Sequence, residues 1–595
     1  MNLFDYRRRE TGEVQIGGKP LGGNHPIRVQ SMTNTSTMDT EACVAQTLRI
    51  AEAGGDYVRL TTQGVREAEN LRNINAGVRA AGCAVPLVAD VHFNPKVADV
   101  AALYAEKVRI NPGNYVDAAR TFKHLEYTDE EYAQELKKIE ERFVPFLRIC
   151  RENHTAIRIG VNHGSLSDRI MSRYGDTPEG IVESCMEFLR ICVKEDFKDV
   201  VVSIKASNTV VMVRSVRLLV DAMEREGMRF PLHLGVTEAG DGEDGRIKSA
   251  VGIGALLADG IGDTVRVSLS EAPEAEIPVA RKLVDYVLRR DGAMMIPAAE
   301  DFDYLTPVRR KTRAVRNIGG DHVPVVIADR MDLAASGRLK GFKAHPDFRP
   351  DYIYCGRNLP PVEEREGDYI VDADVWTGEP GTYPAFPYNM LPFMSQCTAD
   401  LKFLFLSYGA LNEEVRACLK YHPEVVVISQ SNHQNRLGEH RALVHELTRE
   451  GLQNPVVIFQ QYAHGQEEKE DFQIESAADM GALLFDGLCD GLYLYNNGTL
   501  EHRDIDATAF GILQAARLRT TKTEYISCPG CGRTLYDLQD TIARIKAATG
   551  HLKGLKIGIM GCIVNGPGEM ADADYGYVGA ARGKVSLYKK KECVE

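Results

Sequence analysis

Three cysteines near the C-terminus have the residue type and the spacing of metal ligands. Cys528 and Cys531 lie in the loop S-C-P-G-C-G-R, and Cys562 lies in M-G-C-I-V-N-G-P-G-E. Cysteine thiolates bind zinc ions and iron–sulfur clusters, usually in sets of four ligands. A zinc ribbon would use a second C-x-x-C pair, which this part of the sequence does not contain. The fourth ligand therefore decides which metal the cysteines hold.

Two kinds of fourth ligand are available. His551 or Cys593 would complete a zinc tetrahedron, although neither spacing is typical of a zinc site. Glu569 follows Cys562 on a glycine-rich loop that could return its carboxylate to the metal. Three thiolates with a weaker fourth ligand favour an iron–sulfur cluster with one exchangeable iron. Spacing alone leaves both interpretations open.

A second group of candidate residues consists of cations within otherwise apolar, strand-like segments. A charged side chain in such a segment is costly unless it reaches a partner. A single one is usually part of a structural ion pair, but five in different segments favour a polyanionic ligand, because guanidinium groups suit phosphate oxygens. The five are Arg59, Arg109, Arg158, Lys205 and Arg266.

Polar side chains accompany these cations at the same segment ends. A helix cap or an ion pair is the structural alternative for any one of them. Glu238 is the candidate proton donor, but a carboxyl group beside several cations stays ionised unless burial or a ligand's negative charge raises its pKa. The tail that carries the cysteines is expected to contain almost no phosphate-binding chemistry. The expected substrate contacts are Asp90, His92, Asn111, Asn162, Ser207, Asn208, His233 and Ser268.

Eight short β-rich segments alternate with helix-like segments in the first half of the chain. This alternation predicts parallel strands joined by right-handed crossovers, and eight units fit a closed (β/α)8 TIM barrel better than the alternative, an open doubly wound sheet. In a barrel the functional face lies at the C-terminal strand ends, where the cations and polar residues occur. The segments are 27–32, 57–62, 86–91, 107–112, 156–161, 200–207, 232–238 and 264–270.

The remaining chain divides into two parts. Six strand-like segments and a Pro- and Gly-rich stretch at 331–390 predict a further α/β layer structure, a degenerate barrel-like insert with a structural role. The tail predicts a small α/β metal domain. The predicted organisation is a TIM-barrel substrate-binding domain at 1–288, the insert at 289–510 and an iron–sulfur cluster domain at 511–595.

Composition limits the class of protein. The 595 residues, 44% of them hydrophobic, are enough for several domains. Thirteen scattered cysteines are too sparse for a disulfide framework and favour a reducing compartment. The N-terminus has no signal or transit features and no run of about 18 apolar residues occurs, so we expect a cytoplasmic protein without a membrane partner. A net charge of −13 argues against a nucleic-acid partner.

Seven motifs make the sequence recognisable. They are C-P-G-C-G-R, G-C-I-V-N-G-P-G-E, V-Q-S-M-T-N, A-D-V-H-F, R-I-N-P-G-N, G-V-N-H-G-S and L-H-L-G-V-T-E-A-G. Together they resemble the 4-hydroxy-3-methylbut-2-enyl diphosphate (HMBPP) synthase family of the non-mevalonate isoprenoid pathway. The resemblance covers residues from about 20 to 285 and from about 511 to 590. The long middle region resembles the three-domain form found in plants and some bacteria.

The resemblance implies a site and a reaction. Cys528, Cys531, Cys562 and Glu569 would hold a 4Fe-4S cluster, and the barrel cations would bind the diphosphate of 2-C-methyl-D-erythritol 2,4-cyclodiphosphate. The reaction is a two-electron reductive ring opening that loses a hydroxyl as water, with Glu238 and Glu569 as catalytic residues. A ferredoxin or flavodoxin would supply single electrons. The chain would act as a monomer or homodimer, and the insert would let the cluster domain close over its own barrel.

Two other functions compete with this one. A pterin-binding (β/α)8 enzyme of the methyltransferase type would share the barrel and the anionic ligand, but it would not explain the cysteine loops. A zinc-stabilised metabolite-binding scaffold would explain the cysteines but not the position of Glu569.

Overall fold

The computed structural model describes residues 3–117, 125–299, 301–564 and 566–595. The chain separates into two compact units. One comprises Arg8–Asp285 with Lys522–Glu595, and the other comprises Met1–Arg7 with Tyr286–Thr521. The first predicted segment and the cysteine-containing tail thus belong to one unit, although the chain leaves it and returns. The boundaries of the three predicted domains remain a prediction.

The first unit begins with a small antiparallel pair and a ring of eight parallel strands. An isolated parallel bridge from Val202 to Leu232 joins β8 to the chain entering β9, which closes the ring. The predicted TIM barrel is confirmed, and each of the eight predicted segments contains a strand. The strands are β1 Glu13–Val14, β2 Leu21–Gly22, β3 Arg28–Met32, β4 Tyr57–Thr61, β5 Leu87–Asp90, β6 Lys107–Ile110, β7 Ala156–Asn162, β8 Val200–Lys205, β9 His233–Leu234 and β10 Thr264–Val265.

Helices surround this barrel and begin at recognisable caps. Thr128 and Glu131 form a reciprocal capping box at the start of α5, and Asp39 accepts a hydrogen bond from the Ala42 N–H at the start of α1. The helices are α1 Thr40–Glu52, α2 Val65–Ala80, α3 Pro95–Ala101, α4 Pro112–Tyr115, α5 Asp129–Glu152, α6 Asp168–Tyr174, α7 Pro178–Lys194, α8 Thr209–Arg225, α9 Gly242–Ala258 and α10 Glu276–Leu288.

The barrel interior changes from apolar to charged along its axis. At the N-terminal end, Val14 and Leu21 of the small pair pack with Tyr57, Val88 and other buried residues. Side chains two residues apart point to the same side of a strand. The next inward position after Tyr57 is Arg59, and the next after Val88 is Asp90. The apolar base therefore supports a layer of buried charges at the C-terminal strand ends.

The second unit contains a closed barrel of eight parallel strands. Six of these strands overlap the six strand-like segments predicted from the sequence. The other two, β12 and β14, lie in the Pro- and Gly-rich stretch 331–390, where β12 has only three residues and β14 carries two prolines. The strands are β11 Val325–Asp329, β12 Tyr352–Tyr354, β13 Asp368–Asp372, β14 Thr382–Pro387, β15 Lys402–Leu406, β16 Val425–Ser429, β17 Val456–Tyr462 and β18 Gly491–Asn496.

The helices of the second unit follow most of these strands in the alternation that parallel pairing requires. Buried aromatic residues of the strands, among them Tyr352, Phe403 and Tyr493, fill the barrel. The helices are α11 Met331–Ala335, α12 Leu391–Gln396, α13 Glu413–Tyr421, α14 Arg436–Arg449, α15 Lys469–Phe485 and α16 His502–Ala515.

The tail of the first unit forms a five-stranded sheet in sequential order. β19 to β21 are parallel, whereas β21 to β23 are antiparallel. Cys528 directly follows β19 and Cys562 follows β20 after one glycine, so both cysteines lie at the same edge of the sheet. The elements are β19 Glu524–Ser527, β20 Lys556–Met560, β21 Tyr575–Ala581, β22 Lys584–Lys589, β23 Glu592–Cys593, α17 Leu538–Thr549 and α18 Gly566–Glu569. We call this part the cluster domain.

The helices of the described ranges include none that is both long and apolar enough to cross a membrane.

A buried ion pair gives a test of the first barrel. Arg217 Nε on α8 lies 2.8 Å from Asp259 Oδ2, and both side chains are fully buried. Replacing Asp259 by Ala leaves a buried guanidinium without its partner, which costs roughly 3–5 kcal/mol. We expect a clear fall in the denaturation midpoint of the Asp259→Ala variant.

The matched control is Asp221→Ala, which removes the partner of Arg225, whose side chain is 74% exposed, in the same helix. An exposed pair contributes about 1 kcal/mol or less. Equal midpoints for the two variants would contradict the assigned role of the buried pair.

Candidate active site

A cavity lies between the C-terminal mouth of the first barrel and the cluster domain. It encloses about 710 Å³, counting the part open to solvent, and residues of both parts line it. Fourteen of the predicted site residues meet there: Arg59, Asp90, His92, Arg109, Arg158, Asn162, Lys205, Glu238, Arg266, Ser268, Cys528, Cys531, Cys562 and Glu569.

Four predicted residues are not in the cavity lining. Asn111 and Asn208 accept backbone hydrogen bonds at the starts of α4 and α8 and act as helix caps. His233 is buried within the barrel, and neither ring nitrogen has a hydrogen-bond partner. Ser207 donates to the backbone carbonyl of Glu569 at 3.1 Å, so it supports the lining from behind.

Two of the five predicted cations are paired with carboxylates. Arg266 makes a two-point ion pair with Glu276, with Nε–Oε2 at 3.0 Å and Nη2–Oε1 at 3.1 Å. Arg109 donates to Asp90 at 2.9 Å and to Asn162 at 3.1 Å. Burial and the charge of Arg109 lower the pKa of neighbouring His92 to about 3, so its imidazole is neutral.

The other three cations have weaker partners or none. Arg158 Nη1 donates to Ser203 Oγ at 2.6 Å, but its buried Nε and Nη2 have no hydrogen-bond partner among the described residues. Arg59 Nε lies 3.9 Å from Asp90 Oδ2. Burial lowers the pKa of Lys205, and the charges of Arg59 and Arg158 lower it further. Buried cations that repel one another in this way create a site for an anion.

The cluster domain adds a sixth cation, Arg533. It lines the cavity, and its Nη2 lies 4.0 Å from Asp90 Oδ2. This cation was not predicted, because the tail was expected to contain almost no phosphate-binding chemistry. The arginine directly after C-P-G-C-G was the signal in the sequence. Its direction towards the barrel depends on how the two parts pack, which one sequence does not give.

Glu238 meets the condition set for a proton donor. Burial raises the pKa of its carboxyl to about 8, with a further contribution from the charge of Glu569 and an opposing one from Arg266. Its buried Oε2 has no hydrogen-bond partner in the described part of the chain. The residue also has φ +54°, a strained conformation for a side chain of this kind that is often found at functional sites.

Glu569 connects the cluster domain to the barrel. Its Oε1 accepts a hydrogen bond from Asn162 Nδ2 at 2.9 Å, and its Oε2 accepts one from Thr237 Oγ1 at 3.0 Å. Thr237, which also lines the cavity, was not predicted. The role of Glu569 as a fourth metal ligand stays a prediction.

The cysteine loops fit an iron–sulfur cluster by their donors and shape. Cys528, Cys531 and Cys562 line one side of the cavity. The Gly561 N–H donates to Cys528 Sγ at 3.2 Å, and a Cβ at Gly561 would lie 3.3 Å from that sulfur. His551 and Cys593, the alternative zinc ligands, are not in the lining.

Across the described ranges, no three His, Cys, Asp or Glu side chains converge where one metal ion could be held. The ligands of a 4Fe-4S cluster do not need to converge on one metal ion, because each of them binds a different iron.

Comparison with known proteins decides the family. Two family models match, the GcpE TIM-barrel domain over residues 11–281 and the GcpE protein C-terminal domain over residues 524–595. The chain belongs to the GcpE family. This finding favours the predicted enzyme over both the pterin-binding enzyme and the zinc-stabilised scaffold.

Relatives of the GcpE chain match over nearly their whole length. Proteins named 4-hydroxy-3-methylbut-2-en-1-yl diphosphate synthase (flavodoxin) from Bacteroides thetaiotaomicron and Porphyromonas gingivalis are 76% and 50% identical. Both alignments cover 100% of this chain and 96% and 95% of the relatives. A protein of the same name from Leptospira interrogans is 40% identical over 99% of this chain and 94% of its own. The middle region is thus part of these relatives too.

The backbones of Gly164 and Gly568 are in close contact in this GcpE chain. This contact allows the packing of α18 on the barrel to be tested. A Cβ at Gly568 would lie 2.2 Å from the Gly164 carbonyl oxygen, so Gly568→Ala must push α18 away from the barrel. Misplacement by about 1 Å can cost roughly a hundredfold in turnover. We expect such a loss in turnover with a chemical reductant, while the iron content stays unchanged.

Gly64→Ala is the matched control, because a Cβ there meets no atom within 4 Å. Full activity of Gly568→Ala would show that close packing of α18 on the barrel is not needed for turnover.

Proposed function

We propose that the cavity between the first barrel and the cluster domain is the active site of this enzyme. The chain is an oxidoreductase that converts 2-C-methyl-D-erythritol 2,4-cyclodiphosphate to (E)-4-hydroxy-3-methylbut-2-enyl diphosphate in the methylerythritol phosphate pathway. The observation that carries the proposed site is the meeting of unpaired buried cations and three cysteines in one cavity.

The cations bind the cyclic diphosphate. Arg158 offers two unpaired guanidinium nitrogens, and Lys205 offers an ammonium group that forms no ion pair with a described carboxylate. Arg59 adds a loosely paired guanidinium, and Arg533 adds one from the opposite wall. Charge-assisted hydrogen bonds from several directions fix a diphosphate group in orientation as well as in place. Arg109 and Arg266, held by Asp90 and Glu276, shape the wall around it.

Cys528, Cys531 and Cys562 hold a 4Fe-4S cluster, and Glu569 is the proposed fourth ligand. When bound, the cluster supplies electrons one at a time, which a two-electron ring opening needs if the donor carries single electrons. The barrel residues Asn162 and Thr237 hold the Glu569 carboxylate at the cavity wall. The loop between the cysteines and Glu569 is thus supported from the barrel side.

Glu238 donates the proton that the leaving hydroxyl needs. The ring opening takes up two electrons, breaks the bond between C2 and its phosphate oxygen, forms a carbon–carbon double bond and releases the neighbouring hydroxyl as water. Water is a far better leaving group than hydroxide, so a positioned acid accelerates this step, typically by 10²–10⁴-fold. A bound diphosphate adds negative charge and raises the pKa of Glu238 further, which keeps its proton in place until it is needed.

A flavodoxin is the proposed electron donor, because the curated relatives carry that word in their names. A ferredoxin remains the other predicted donor. A cytoplasmic location and a monomeric or homodimeric state remain predictions. Both halves of the proposed site come from a single chain.

The cysteine assignment has a direct test. Cys528→Ser, Cys531→Ser and Cys562→Ser should each lose the visible iron–sulfur absorbance and at least one iron per chain, while the barrel stays folded, because each thiolate holds one iron. Iron and acid-labile sulfide are measured on protein purified without oxygen. Cys593→Ser is the control, because Cys593 is exposed and absent from the cavity lining. Stoichiometric zinc in the wild-type protein would contradict the assignment of these cysteines to an iron–sulfur cluster.

The paired and unpaired cations are expected to respond differently. Arg158→Met removes an unpaired charge that binds substrate, so KM should rise about tenfold or more, corresponding to roughly 1.5–3 kcal/mol for a charge-assisted contact. Arg266→Met instead leaves Glu276 buried without its partner, so the main effect should be a lower melting temperature. Steady-state kinetics and thermal unfolding of both variants check this. An unchanged KM for Arg158→Met would show that Arg158 has a structural role and does not bind substrate.

A further inference from the structure

The edge of the cluster domain farthest from β19 presents an apolar surface on which no described part of the chain packs. Tyr575, Val585, Leu587 and Val594 are 47%, 40%, 36% and 61% exposed. Contiguous exposed apolar side chains often mark interaction sites. We call these four residues, together with Arg582, Lys584, Lys589, Lys590 and Lys591, the hairpin face.

This apolar surface is exposed because α17, the helix that packs on the same side of the sheet, does not extend over β22. Tyr577 on β21 packs with Leu538 and Ile542 from the α17 side. On β22, Leu587 pairs with Tyr577 and Val585 pairs with Gly579. Residues paired across strands point to the same side of the sheet. Val585 and Leu587 therefore continue the surface that α17 covers, one strand beyond its limit.

The hairpin face is positively charged within an acidic chain. Residues 575–595, which include the strand that carries Val594, contain five lysines and arginines and two glutamates, Glu592 and Glu595, whereas the whole chain has a net charge of −13. All the cations of the hairpin face are exposed, and none forms an ion pair within the described ranges. Uncompensated surface charge steers partners of opposite charge and rejects partners of like charge. The face thus fits an acidic protein.

The hairpin face lies beside a cysteine loop. A Cβ at Gly579 would lie 2.5 Å from the carbonyl oxygen of Gly561, the residue before Cys562. β22 is two strand spacings from β20, so Val585 is about 10 Å from this loop. Ile563, directly after Cys562, is 47% exposed. The loop thus reaches solvent, and the residues of the hairpin face do not line the substrate cavity.

We propose that the hairpin face docks the electron donor, an acidic flavin protein. This rests on the proposed function of the cavity. In each encounter an anionic flavin hydroquinone loses one electron, keeps its proton and becomes the neutral semiquinone, and the electron passes to the cluster. Ring opening consumes two electrons, so each turnover takes two encounters. The donor approaches from outside while the substrate occupies the cavity.

A redox protein fits the hairpin face better than a nucleic acid or an anionic membrane. An apolar centre with a polar rim is the anatomy of a protein–protein interface. The net negative charge of the rest of the chain opposes extended polyanions beyond the face. A protein docked on the hairpin face lies close to Cys562. This closeness matters for electron transfer but not for binding a nucleic acid or a membrane.

The test reverses two charges at the end of the hairpin nearest the cysteine loop. The double variant Arg582→Glu with Lys584→Glu should raise the Kd for oxidised flavodoxin at least tenfold in calorimetric titration at low ionic strength, because rim charges control association. Cluster reduction by reduced flavodoxin, followed by stopped-flow absorbance, should slow to a similar degree. Turnover with dithionite should stay near the wild-type value. Independently of any variant, wild-type affinity for flavodoxin should fall as ionic strength rises.

The control double variant is Arg544→Glu with Lys553→Glu, which makes the same charge change in the same domain on α17 and in the loop before β20. It should bind flavodoxin like the wild type. Unchanged affinity of the Arg582/Lys584 variant, an equal loss in both variants, or wild-type binding to duplex DNA or anionic vesicles in place of flavodoxin would overturn the proposal. A wild-type enzyme without dithionite-driven turnover would count against the proposed function instead.

Discussion

Repulsion among buried positive charges is the constraint on which the rest of the active site depends. Burial lowers the pKa of Arg158, and the charges of Arg59 and Arg109 lower it further. Two carboxylates, Asp90 and Glu276, compensate only part of this charge. Such an arrangement is stable because the apolar base of the barrel and the surrounding helices hold it in place. In the proposed site, the unpaired nitrogens favour binding of a doubly charged phosphate ligand, since the anion would satisfy buried groups that have no other hydrogen-bond partner among the described residues.

The second half of the site depends on the same charge layer. Arg533 adds a cation from the cluster domain, which increases repulsion, whereas Glu569 places a carboxyl group between Asn162 and Thr237 on the barrel side. The backbones of Gly164 and Gly568 touch without room for a methyl group. Close packing excludes water around the cavity, and a drier cavity strengthens each electrostatic contact with the substrate. Anion binding and domain packing are therefore coupled through a few shared residues.

Sequence patterns predict the parts of this protein that follow local rules. All eight strands of the first barrel were found because each is a short apolar segment next to a helix pattern. β12 and β14 were missed, since three residues and a proline-containing segment resemble loops. In the site, residue type identified the cations and the cysteines. Residue type alone could not distinguish Asn111, which caps a helix, from Asn162, which donates a hydrogen bond to Glu569. Both are asparagines at the C-terminal end of a barrel strand.

The two barrels show that one fold can carry opposite chemistry at the same end. In the second barrel the polar groups at the strand ends satisfy one another: Tyr493 donates to Asp329 at 2.6 Å, and Tyr354 donates to Asp372 at 2.5 Å. T-shaped ring contacts, such as Phe459 with Tyr493 at 4.9 Å, fill the space between them. A mouth whose hydroxyl donors are already bonded to carboxylates has little affinity left for an anion, whereas the first barrel leaves guanidinium nitrogens of Arg158 without partners among the described residues. This contrast supports a structural role for the second barrel, because ligand affinity in a buried polar site comes from the groups that folding leaves unsatisfied.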